Sequence, residues 1–118
     1  MINYELAELI RIQRKQLRQE KETYEDCCKK YRKEVENEYN EFYGKFQELN
    51  YWGEGTYEMK DTQLSNLIED NRELLNTSEE VCGKLLMTID DELKRYLCEY
   101  EAKDDALYRE QQRLELMI

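Results

Sequence analysis

Few side chains in this chain could do chemistry. There are four cysteines, Cys27, Cys28, Cys82 and Cys98, and carboxylate runs such as Asp90-Asp91-Glu92 and Asp104-Asp105. Paired carboxylates can serve a metal or a proton transfer, and a thiolate can attack or ligate. Each use needs a companion group. Histidine, the commonest general base and metal ligand, is absent from all 118 residues. No CxxC pair occurs, so a zinc site is not expected. An ExxH di-iron pattern would also need histidine. Neither a glycine-rich phosphate loop nor GxSxG is present. Long acidic helices produce carboxylate runs by chance, and a solvated face accounts for them. We therefore read the chain as non-enzymatic, with no cofactor and no metal. One spacing remains. Tyr100 and Asp104 spell YxxxD, and on a helix both side chains share a face.

The elements that must carry these residues are helical. Residues 1–50 hold no Pro and a single Gly, and apolar residues recur every three to four positions. The first arm reads Leu6, Ile10, Leu17, Tyr24, Cys27 or Cys28, Tyr31, Val35, Phe42, Phe46, Leu49, with Gln13 and Glu20 on the same stripe. The second reads Leu64, Leu67 or Ile68, Leu74 or Leu75, Val81 or Cys82, Leu85, Ile89, Leu93, Tyr96, Tyr100, Leu107, Leu114. Doublets such as Leu74-Leu75 and Leu85-Leu86 widen the second stripe enough to touch two helices. Between the arms lies Tyr51-Trp52-Gly53-Glu54-Gly55-Thr56, with two glycines close together. This predicts an all-α, coiled-coil-like antiparallel hairpin in one domain, 1–118. Its helices span about 4–50 and about 57–116, with Trp52, Gly53 and Gly55 in a turn at 51–56 and Thr56 or Asp61 as the cap. Thr77 and Glu80 have capping-box spacing, so a kink near 76–78 is the alternative to a continuous second helix.

Charge narrows the partners. The net charge of −10 disfavours nucleic acid. Residues 1–50 carry 10 basic and 11 acidic side chains, whereas residues 51–118 carry 8 and 17. An acidic second arm beside a partly basic first arm favours an antiparallel fold and can attract a basic surface. A turn at 53–56 sets position 28 opposite about position 82. That register would allow a Cys27 or Cys28 to Cys82 bridge. Small buried thiols in a reduced cytosol are the preferred reading. No basic region followed by an apolar run opens the chain, and no stretch suits a membrane span. The expectation is a cytoplasmic start without membrane insertion.

The cytosolic start, hairpin, aromatic-glycine turn and late YxxxD together resemble the WXG superfamily of type VII secretion. Trp52-Gly53-Glu54-Gly55 reads W-G-x-G rather than W-x-G, and the chain is somewhat long. It looks more like the LXG-associated α-helical targeting proteins, and like their second family, since no FxxxD is present. The resemblance implies a targeting factor or chaperone. It would bind the helical N-terminal domain of an LXG toxin beside a second small helical accessory protein, and help direct the toxin to the secretion machinery. It would place Tyr100 and Asp104 at the export-signal position and Leu75, Leu86 and Leu97 on the partner-binding face. Export together with the partner would then follow a Sec-independent route. The alternatives are a self-assembling coiled-coil scaffold, for instance a homodimer, and an acidic immunity protein that binds a toxin.

Overall fold

The structure is a computed structural model that describes residues 2–55 and 62–117, and side chains outside 50–64. It consists of two helices, α1 (Ile2–Gly55) and α2 (Thr62–Leu116), in the expected antiparallel hairpin arrangement. The absence of Pro removes the strongest helix breaker. Same-helix ion pairs add to this: Glu8 with Arg11, Glu69 with Arg72, Glu92 with Arg95 and Glu110 with Arg113. In each, the acid precedes the base by three residues, the orientation that suits the helix dipole. The last turn of α2 closes with the Met117 amide donating to the Leu114 carbonyl at 3.2 Å.

The helix bounds correct the expected turn. The backbone is helical through Gly55, so Trp52, Gly53 and Gly55 end α1 rather than form the reversal. A helical glycine costs about 1 kcal/mol relative to alanine, which two glycines do not make decisive in a long helix. The connection falls at 56–61, outside the described residues, as do the proposed caps Thr56 and Asp61. α2 runs unbroken through 76–78. Thr77 does not cap a helix there: its hydroxyl donates to the Glu73 carbonyl at 3.0 Å, a mid-helix arrangement.

The hairpin divides into two compact units. Unit 1 holds residues 1–30 and 90–118, and unit 2 holds residues 31–89. The less exposed positions that keep steps of three and four along α1 run 3, 7, 10, 14, 17, 21, 24, 28, 32, 35, 39, 42, 46, 49. Those of α2 run 68, 71, 75, 78, 82, 86, 89, 93, 96, 100, 104, 107, 111, 114. These alternating steps of three and four form a coiled-coil-like seam, with extra steps of four around 28, 82 and 100. Gln13, Glu20 and Tyr31 lie off the seam and are exposed, and Arg14, Lys21 and Arg32 occupy it instead. Cys28 rather than Cys27 turns inward.

The register also differs from expectation. In unit 1, Tyr24 stacks on Tyr96 with ring centroids 4.1 Å apart, and Cys28 lies near Asp90. In unit 2, Cys82 lies beside Tyr39. Because α1 continues to Gly55, the pairing is displaced from the one that would face Cys28 with Cys82. All four cysteines are free thiols.

Candidate functional site

Every doublet in the second arm resolves the same way. Ile68, Leu75, Cys82 and Leu86 turn to the seam, and the preceding residue of each pair turns out. One residue along a helix is a rotation of about 100°, enough to move a side chain from seam to flank. The outward set is Leu67, Leu74, Val81 and Leu85, exposed by 49%, 56%, 51% and 48%. Three of the four recur at intervals of seven, so they form a second stripe along one side of α2. The expected partner face of Leu75, Leu86 and Leu97 is therefore corrected at Leu75, which is buried in the core of unit 2. Leu86 and Leu97 are half-buried.

Two threonines extend the stripe. The Thr77 and Thr88 hydroxyls donate to the carbonyls of Glu73 and Lys84, at 3.0 and 2.9 Å. With the hydroxyl satisfied inside the helix, each threonine contributes its methyl group at little polar cost.

The other wall comes from α1. Glu36, Asn40, Glu79 and Gly83 line a groove of about 380 Å³ with the seam residues Tyr39, Cys82 and Leu86. Each of those four follows a seam residue by one position. Side chains one position after the seam therefore share one face of unit 2, from both helices. Those one position before it share the opposite face. On that opposite face α2 presents Leu67, Asp70, Leu74, Thr77, Val81, Leu85 and Thr88, and α1 presents Tyr31, Glu34, Glu38, Glu41, Lys45 and Glu48. All of these are exposed. An apolar rail thus runs beside an acidic one. The groove face is mixed: Lys33, Glu36 and Asn40 stand there with Glu69, Arg72 and Glu79.

Unit 1 locates the expected export-signal pair. Arg14 Nε and Nη2 donate to the Asp104 carboxylate at 2.8 and 3.2 Å, and Nη1 donates to Gln111 at 3.3 Å. The guanidinium also sits 4.8 Å from the centre of the Tyr108 ring. Lys21 Nζ lies 4.9 Å from the centre of the Tyr100 ring. Both residues of the YxxxD spacing are therefore engaged by α1. The hydrogen bonds from Arg14 hold the Asp104 carboxyl below its ordinary range, and they raise the Arg14 guanidinium in turn. Burial pushes the Cys28 thiol up, against the bond that Tyr24 donates to it, so it is not an activated thiolate. Desolvation likewise raises the Tyr39 hydroxyl, and the nearby Glu79 adds to the effect.

The sequence reading missed Arg14 and Lys21 as seam residues, although both keep the three-four step from Ile10 through Leu17 to Tyr24. It also missed that Leu67, Leu74 and Val81 repeat at seven. Among the described residues no cluster of three or more Cys, Asp or Glu could hold a metal ion. No described helix is long and apolar enough to cross a membrane. No protein-family model, curated protein or solved structure matches the chain, so the reading of the site rests on its own geometry.

Proposed function

We propose that the chain is a non-enzymatic adaptor that takes up helices of a larger partner, and that the partner is the helical N-terminal domain of an LXG toxin bound for type VII export. One observation carries the adaptor reading. Among the described residues, Ala7, Leu75 and Leu114 form the whole buried apolar core, while fifteen large apolar side chains are exposed. A hairpin with so thin a core and so many bare apolar side chains gains from a third or fourth helix. Covering a half-exposed leucine contributes about 1 kcal/mol. The toxin identity rests on the resemblance in the sequence. A second small helical accessory protein would complete the bundle around the remaining exposed leucines.

Tyr100 and Asp104 have no outward role in this reading. They hold α2 to α1, and targeting belongs to the assembled complex. Co-expression of the tagged chain with its genomic neighbours, followed by light scattering of the eluate, tests the proposal. The expected result is a complex containing a long helical toxin domain. A lone homodimer would replace the adaptor with a self-assembling scaffold. Elution with a toxin's catalytic domain alone would replace it with an immunity protein.

A further inference from the structure

We infer that the face of unit 2 formed by Leu67, Leu74, Val81 and Leu85 beside Glu34, Glu38, Glu41 and Glu48 docks one amphipathic helix of another protein, with Lys or Arg flanking its apolar stripe. The inference rests on the adaptor reading and specifies the chemistry of the partner.

Three observations carry it. The apolar rail extends over 19 residues of α2, from Leu67 to Leu85, about 27 Å at helical rise. A helix of some five turns covers that length. The rail is made more continuous by Thr77 and Thr88, whose hydroxyls are spent on their own backbone. The parallel rail on α1 carries four glutamates to one lysine, Lys45. On the solvent side of the apolar rail stand Asp70, Glu73 and Glu80, with Lys84. A docked helix would thus meet negative charge on both sides of its stripe, and more of it on the α1 side.

Charge also decides between occupants. A second copy brings the same two rails. In a two-fold contact its glutamates would face either these glutamates or these leucines, and both pairings are unfavourable. A basic-flanked helix satisfies both rails at once. Because the α1 rail is the more acidic, such a helix is also told which of its flanks belongs where.

The test uses the full-length protein and two synthetic helical peptides of about 22 residues. Both carry the same leucine stripe. One has lysines at the flanking positions, and the other has glutamates there. Binding is read by fluorescence anisotropy at about 150 mM and about 500 mM salt. The lysine peptide should bind at least about ten-fold tighter, with the preference shrinking at high salt. Leu74→Ser with Val81→Ser should abolish binding, with the helical circular dichroism unchanged. Leu9→Ser should leave binding intact; Leu9 and Leu74 are equally exposed, at 56%. Combined Glu34→Lys, Glu38→Lys and Glu41→Lys should reverse the preference.

Equal binding of the two peptides, binding by neither, or binding that survives the Leu74/Val81 change would overturn the inference. A toxin complex without this preference would leave the adaptor and remove this face. The preference without any toxin complex would keep the face and discard the toxin as its occupant.

Discussion

Units 1 and 2 are built from the same two helices and the same seam spacing, yet they treat charge in different ways. In unit 1 the polar contacts that cross from α1 to α2 are specific: Arg14 with Asp104 and Gln111, Arg11 with Glu115, and Lys21 over Tyr100. In unit 2 the pair of Arg72 with Glu69 lies within one helix. Unit 1 carries 12 basic and 15 acidic residues, net −3, and unit 2 carries 6 and 13, net −7. On α2 of unit 1, some outward charges pair along the helix, as in Glu92 with Arg95 and Glu110 with Arg113. On unit 2 the outward charge has mostly one sign and lies beside bare leucines. The lesson is a division of labour: charge spent across the seam specifies the hairpin, and charge left outside it is available for another molecule.

The largest test of this contrast sets an inward leucine against its outward neighbour. Leu75→Ala should cost about 2–3 kcal/mol in urea unfolding, because it opens one of the few buried positions. Leu74→Ala, one residue earlier and 56% exposed, should cost less than about 0.5 kcal/mol. Similar losses for both would mean that the stripe is not outward at all.

Next in size is the seam charge of unit 1. Asp104→Asn should cost about 1–2 kcal/mol at neutral pH, as for a charged hydrogen bond. Both side chains are about one-fifth exposed, 22% for Arg14 and 21% for Asp104, so solvent screens the pair only in part. The Asp104 carboxyl is held below its ordinary value of 3.8 by Arg14. Its contribution is therefore complete above that value and is lost as pH falls through the lowered one. Wild type and Asp104→Asn should differ most near pH 7 and converge below about pH 4 in thermal melts. A gap independent of pH would assign the loss to packing.

A smaller effect of opposite sign belongs to unit 2. A Cβ at Gly83 or Gly44 would meet no other atom within 4 Å, and neither backbone is in the left-handed region. Each Gly→Ala change should raise stability by about 0.5–1 kcal/mol through helix propensity. Least of all, Lys21→Gln should cost about 0.5 kcal/mol by removing the cation from the Tyr100 ring. Tyr100→Phe keeps that ring and should be close to neutral in the same melts.

Much of the fold was legible before the structure. Two long helices, their antiparallel arrangement and most apolar seam positions follow from period and the absence of proline. The phase of the doublets was not legible. Leu74 and Leu75 are equally apolar, and a rotation of about 100° decides which is core. That rotation is set by the partner helix, which local spacing does not encode. The same gap hid the role of Arg14. A charged residue in step with Ile10 and Leu17 reads as a flaw in the stripe until Asp104 is seen across from it. The end of α1 was misplaced because glycine permits a reversal without compelling one.

That clasp bears on a further problem, sliding. Where the seam keeps its alternating steps of three and four, apolar packing alone resists a shift of seven only weakly, since apolar side chains would still meet apolar side chains. Moving α2 one heptad in one direction would set Arg14 against Leu97 and leave Asp104 opposite Ala7. Moving it in the other would set Arg14 against Gln111 and deliver Asp104 to Lys21. Either way the guanidinium loses its carboxylate, at a cost that apolar contacts alone would not impose. Arg14 and Asp104 thus serve the hairpin as an index mark, and the face that unit 2 presents depends on its being read correctly.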